Sequence, residues 1–449
     1  MSLAPASTGA SLFRRPAADW QFGFVLLMLA AGFLSIAVSQ LALGLGLLTL
    51  LYRWVIRHEA PPVTGLEKTA ALLALWALLM IPFSSNVAQS ALFYRRFYLF
   101  TAIWVAASAA TTEKRRLLML AFLMAGALTT CLHDQTLHAL ETGSLFHGRM
   151  AGTFNAMTSG ALLMMAALAG GGFLAAPGTG RKLRLALALA MPPLLLGIVM
   201  TVTRSAQMGL VAGVGALVLA ARPRLFAGFA VAGALLVTVL AFQGQHLLPA
   251  SIWSRLDPKY IVGGETTELR LEMWRGGWNM VKQHPLTGVG DRGLEEISPL
   301  YYTSAFDTYF GHLHSNIVHM AAIWGLPGLL FGQAFLFAGL WLLLRRRRAL
   351  LRQPGGAAAT PAAAGWTLGA IAVWTGFYVA GFTEWYFGDA EPMLIYLAIM
   401  GVALGSFEDV IRPAGQRALW TIRMTSSISS PVPLNMMSPP SFAAAATAA

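Results

Sequence analysis

The sequence predicts an all-α integral membrane protein of about twelve transmembrane helices with one large loop on the outer side. Three observations carry this prediction. Of the 449 residues, 57% are hydrophobic and only 11% charged, where soluble domains carry about 25% charged residues. The apolar residues fall in runs near the ~20 residues that a helix needs to cross a bilayer. Lys and Arg collect in the connections on one side of those runs, as they do in cytoplasmic loops.

Residues 1–20 contain Arg14 and Arg15 and no cleavable signal pattern, and read as a cytoplasmic N-terminus. From Gln21 to about Arg57 the apolar region is too long for one span, and we break it at Ser35–Gln40 into two short helices. Further spans are expected at about 67–85, 97–111, 116–133, 154–176, 183–202, 207–221 and 224–243, so that 21–243 holds nine. Residues 244–315 form the large outer loop, and 316–407 hold three more spans, at about 316–344, 364–383 and 392–407. The Ser/Pro/Ala-rich segment 408–449 reads as a disordered cytoplasmic tail. No short-period repeat is visible.

This threading puts 21 of the 31 basic residues and six of the 19 acids on one side, a net +15 against −3 on the other. By the positive-inside rule the basic side is cytoplasmic, with both termini there and the large loop outside. The formal charge of +12 is thus a matter of orientation and requires no nucleic-acid partner. Cys131, the single cysteine, can form no intrachain disulfide and reads as a small core residue. No acid falls in the middle of an expected span, which argues against a transporter or flippase, whose pathways usually carry ionisable groups.

The chain is organised around His312-Leu-His-Ser-Asn316, a polar cluster directly before the apolar run that continues to Leu344. His314 would sit at the outer mouth of a helix, with Gly325 about 20° and Gly328 about 40° from it around the helix, a stripe for close approach. An imidazole titrates near neutral pH and suits a general base acting on a hydroxyl. His312 is a rival for that role; His319 lies about 140° away and reads as structural. The histidine spacings do not converge on a metal, and no Cys or acid motif joins them, so none is expected.

Arg204, in the very short outer turn of Val202-Thr-Arg-Ser-Ala-Gln-Met208, offers a fork for phosphate oxygens or a snorkelling anchor. Residues 267–285 have the spacing of an amphipathic helix that Trp274 and Trp278 would seat at the membrane interface. Arg270 and Trp274 would share one face near its N-terminal end, where anions are favoured. Arg95, Arg96 and Arg275 are weaker outer-side cations. Asp389 and Glu391, in the last outer loop, could orient a histidine or a sugar. Gly288-Val-Gly290 reads as a turn.

These motifs resemble a known family. His314-Ser315, nine residues, then Gly325-Leu-Pro-Gly328 is similar to the signature of bacterial O-antigen ligases. Arg270 with Trp274, followed by His284-Pro-Leu-Thr-Gly-Val-Gly290, resembles the wider ligase and O-antigen polymerase family. The motif region covers about 268–330, and Pro327 inside the glycine pair is a place for a kink. The resemblance implies a GT-C-like glycosyltransferase of the bacterial inner membrane with its active site on the periplasmic face. It would carry out an inverting, cofactor- and metal-independent transfer. The donor would be O-antigen on undecaprenyl pyrophosphate and the acceptor a sugar hydroxyl of lipid A-core. His314 would be the base, with Arg204 and Arg270 on the pyrophosphate. A polymerase would use the same donor but another lipid-linked glycan as acceptor. Polymerases commonly have two sizeable outer loops, whereas the second one here, about 134–153, is short.

Overall fold

The computed structural model describes residues 14–247, 253, 265–291, 293–303, 309–353 and 360–405. The tail 408–449, most of the expected cytoplasmic N-terminus and parts of the large loop, including Arg255, Lys259 and Arg292, lie outside the described residues. Among these residues the chain is all helical: α1 (Arg14–Ala31), α2 (Ile36–Val55), α3 (Glu67–Met80), α4 (Val87–Tyr94), α5 (Thr101–Ala109), α6 (Glu113–Thr142), α7 (Ala156–Ala175), α8 (Arg181–Met200), α9 (Arg204–Ala221), α10 (Phe226–Leu247), α11 (Glu265–Gln283), α12 (Leu294–Ile297), α13 (Asn316–Arg352), α14 (Pro361–Ala380) and α15 (Ala390–Leu404). Seven of them, α2, α6, α7, α8, α9, α13 and α14, are long and apolar enough to cross a membrane. Shorter apolar helices occupy Ala17–Ala31, Pro223–Val239 and Ala390–Leu404. The protein is a polytopic membrane protein, and among the described residues each apolar stretch marked as a span contains helix.

Boundaries follow local chemistry. The α1–α2 break falls at residues 32–35, slightly before the expected Ser35–Gln40, because Ser35 is extended (φ −158°, ψ 121°) and its hydroxyl caps Val38 N. Thr112 caps α6, which ends at Gly143 in the left-handed region (φ 72°). That helix outruns the expected span by nine residues. Asp134, placed in a loop by the sequence reading, is instead buried within α6, where its Oδ1 accepts from Thr153 N at 3.0 Å and Thr153 Oγ1 at 2.9 Å.

The core forms around α14, buried over most of its length between α7 and α9. Small residues let these helices touch backbone to backbone, the usual contact where lipid supplies no hydrophobic drive. A Cβ on Gly172 would overlap Gly369 N on α14, and one on Gly209 or Gly213 would crowd the carbonyls of Gly376 or Ala372.

The bundle has two chemically distinct ends. At the basic end Arg53 pairs with Glu59 (2.7 Å), Arg115 with Asp19 (2.5 Å), and Trp366 Nε1 donates to Arg116 O (3.0 Å). The opposite end gathers the 201–203 turn, α11, the segment before α13 and the 381–389 turn.

The expected single span from residue 316 is broken. Gly325 (φ 69°, ψ −178°) interrupts α13. Pro327 explains why: its ring would clash with the carbonyl of Ile323, four residues earlier, and it cannot donate. The carbonyls released by the break find new donors, Val289 N to Ala322 O (2.8 Å), Gly290 N to Ile323 O (3.2 Å) and Trp76 Nε1 to Trp324 O (2.9 Å). In return Leu326 N donates to Pro285 O (2.8 Å). The Gly288–Gly290 turn therefore plugs a broken helix. The glycine stripe expected beneath His314 does not form, because His314 precedes the helix in a left-handed conformation (φ 45°) and Gly325 ends its first half.

Candidate functional site

The His314 segment is positioned by four hydrogen bonds of its neighbours. Ser315 is extended and its hydroxyl caps Val318 N, which starts α13 after His314. Asn316 N donates to Gly381 O (2.7 Å) while Asn316 Oδ1 accepts from Phe387 N (3.0 Å), stapling α13 to both sides of the turn after α14. On the other flank Trp274 Nε1 donates to Leu313 O (3.0 Å). That contact corrects the expectation that both tryptophans seat α11 in the interface. Trp278 is more than half exposed, but Trp274 turns inward to bind a carbonyl. His319 is structural, as expected: its ring lies on Trp385 with centroids 4.1 Å apart, and its Nδ1 accepts from Leu313 N at 3.3 Å.

At the centre is Glu384, 2% exposed. Its Oε1 lies 2.7 Å from His314 Nδ1 and accepts from Trp385 N at 3.2 Å. Its Oε2 faces Arg270, 3.5 Å from the guanidinium. His312 Nε2 lies 3.6 Å from Oε1, too long for a hydrogen bond, and its ring sits 4.2 Å from that of His314. Burial opposes the charged form of Glu384, but His312, His314 and Arg270 outweigh it and hold the carboxyl well below its ordinary range. Asp389 joins the edge of this cluster. Burial, with the like charges of Glu384 and Glu391, prevails over the attraction of His312 and Arg96 and raises it to about 6.

Arg204 opens α9 after the three-residue turn 201–203, in which Val202 is left-handed (φ 48°). Arg149 holds that turn through Nε to Thr201 O (2.8 Å) and NH2 to Thr203 Oγ1 (3.0 Å). The next residue, Ser205, bonds the buried Tyr386 hydroxyl at 2.8 Å, two residues from Glu384. Arg270 and His314 therefore meet on one carboxylate, and the N-terminus of α9 docks beside it. Arg96 pairs with Asp291 at 3.5 Å and bears electrostatically on Asp389, while Arg95 is exposed and shares none of these contacts. Arg275 does not join the site: it is two-thirds exposed and pairs with Glu272 at 3.4 Å. Five residues along α11 turn it about 140° away from Arg270.

Glu384 is the residue that the sequence reading missed, choosing Asp389 and Glu391 as the acids of this loop. Its signal was an acid inside Phe382-Thr-Glu-Trp-Tyr-Phe387 at the end of an apolar span. An acid buried among aromatics has to be paired. It also corrects the statement that no acid joins the histidines. Donor atoms of His312, His314 and Glu384 lie within 4.8 Å of one another, a spacing that a metal ion could use. The 2.7 Å Nδ1–Oε1 distance, however, is that of a direct hydrogen bond. Two ligands on one tetrahedral zinc would stand about 3.3 Å apart, from Zn–N bonds of about 2.0–2.1 Å. The adjacent Arg270 cation further favours a His–Glu pair over a cation site.

Residues 185–332, about a third of the chain, match a family model described as Wzy_C, O-antigen ligase. The matched segment runs from α8 into α13 and contains Arg204, Arg270 and His314; Glu384 lies beyond it. No curated protein matches the chain.

Proposed function

We propose that the protein is an O-antigen ligase, a GT-C-like enzyme of about twelve spans in the bacterial inner membrane. It moves O-antigen from undecaprenyl pyrophosphate to a sugar hydroxyl of lipid A-core. The charge distribution supports an orientation with the basic end cytoplasmic and the His314–Glu384 end periplasmic.

The observation that carries the mechanism is the 2.7 Å contact between His314 Nδ1 and Glu384 Oε1. A carboxylate can only accept, so Nδ1 bears the proton and Nε2 keeps the lone pair of a general base. The acceptor hydroxyl gives its proton to Nε2 as its oxygen attacks the anomeric carbon. The bond from that carbon to the diphosphate breaks, and the electron pair leaves with the diphosphate. Arg204 and Arg270 meet the growing negative charge. Attack opposite the leaving group inverts the anomeric configuration. Glu384 holds the imidazole in the required tautomer and balances the imidazolium that forms. A ligase is favoured over a polymerase because the outer loop expected at about 134–153 narrows to residues 143–155 once α6 is traced to Thr142.

The test is reconstitution of the purified protein with lipid A-core and undecaprenyl-pyrophosphate glycan in the presence of a chelator. A glycan ladder on lipid A-core is expected, with the rate falling roughly 10²–10⁴-fold in His314→Ala. Growth of the glycan on its own carrier would make the protein a polymerase, and product only after metal is restored would convert His312, His314 and Glu384 into ligands. In the same assay Arg275→Ala should stay within roughly twofold of wild type, as expected of a surface substitution. A larger loss would place Arg275 in contact with substrate.

A further inference from the structure

At the basic end, the far end of α14 from Glu384, a cavity of about 220 Å³ opens between α7, α9, α13 and α14. Its walls are mostly apolar, with Leu350, Leu351 and Leu368 among them, and two arginines, Arg222 and Arg347, are among its lining residues. Arg347 donates to Ala220 O, which fixes it at the wall across from its own helix. Arg222 caps the C-terminal end of α9 and is exposed. Glu113, an acid at this end of the bundle, is engaged by Ala362 N (2.9 Å) and faces Arg116 at 3.9 Å. We infer that this cavity holds the phosphodiester headgroup of an anionic membrane lipid, with Arg222 and Arg347 on the phosphate and an acyl chain leaving past Leu351.

Four features select that ligand. Two arginines on one small cavity match the planar, bidentate recognition of a phosphodiester. The volume lies below the roughly 300–1,000 Å³ of pockets for drug-sized ligands, so it suits a headgroup and not a glycan carrier. Apolar walls suit an attached acyl chain, which a soluble phosphate does not have. Leu351, on the lip, is half exposed, and in a membrane that side is hydrocarbon. Finally, the cavity borders the Arg345–Arg348 run on α13. Such basic pockets and clusters at a membrane boundary attract anionic leaflets.

The experiment uses the full chain, delipidated in detergent, with thermal unfolding and native mass spectrometry as readouts. Phosphatidylglycerol is expected to raise the unfolding midpoint and to remain bound as a discrete adduct, whereas phosphatidylcholine does neither. Apparent affinity should fall roughly tenfold or more in Arg222→Gln and in Arg347→Gln, each losing a charge-assisted bond. Arg345→Gln removes the same charge from the same helix outside the cavity, where Arg345 lies over the Trp341 ring, and should respond as wild type. Because Arg347 also holds Ala220, Arg222→Gln keeps the test valid if Arg347→Gln fails to fold. Equal stabilisation by phosphatidylcholine, an undiminished response in Arg222→Gln, or full reproduction of the effect by glycerol phosphate or inorganic phosphate would each overturn the inference.

Discussion

Glu384→Gln is expected to abolish most of the transfer while leaving the protein folded. The amide keeps the shape of the side chain but not its charge. It can present an N–H to Nδ1, which moves the imidazole proton to Nε2 and removes the base. Even in the other amide orientation, no anion balances the imidazolium. The expected loss in kcat is roughly 10²–10⁴-fold, the range for disabling an acid–base group through its orienting carboxylate. The KM for acceptor should change little, because Glu384 is 2% exposed and lies behind the histidine. A merely structural role for Glu384 would move KM, kcat and unfolding temperature together; a positioning role moves kcat alone, with partial rescue by Glu384→Asp. Because Glu384 is held well below the ordinary carboxylate range, its titration puts no acid limb into the wild-type profile between about pH 5 and 8. A Gln variant retaining more than half of wild-type turnover would remove Glu384 from the mechanism, and with it the tautomer argument for His314.

Gly325→Ala should be among the most damaging single-methyl additions to this chain. The backbone at Gly325 (φ 69°, ψ −178°) lies in a region that is essentially closed to residues with a Cβ, at roughly 1–3 kcal/mol. The added methyl would also overlap Leu286 O, and Pro285 O lies 2.9 Å away. The 285–290 turn would have to withdraw, leaving the carbonyls of Ala322 and Ile323 without their donors. Since the first half of α13 carries His314 at its mouth, activity should fall along with unfolding temperature. Gly233→Ala is the control: nothing lies within 4 Å of its Cβ, on a helix where alanine is the better former. Equal unfolding temperatures for the two variants would show that α13 passes Gly325 without the break.

The sequence by itself determined the features that depend on near neighbours in the chain. Apolar runs of membrane length became helices wherever they occurred, since an unpaired backbone cannot be tolerated in lipid. The Ser315 cap set the start of α13, and Arg270 and Trp274, four residues apart, came out on one face of α11. His314 was legible for the same reason, as a polar group at a helix mouth beside a family motif. The tertiary structure alone decided who the partner of each group is. Glu384 is 70 residues from His314 and more than a hundred from Arg270, so nothing in local spacing pairs them. Trp274 faces Leu313 and not lipid because a carbonyl needing a donor lies on that side. Pro327 announced a kink, but only the 285–290 turn and Trp76, arriving from distant parts of the chain, could satisfy the carbonyls that a broken helix releases. Local pattern specifies which groups need a partner, and long-range packing supplies it.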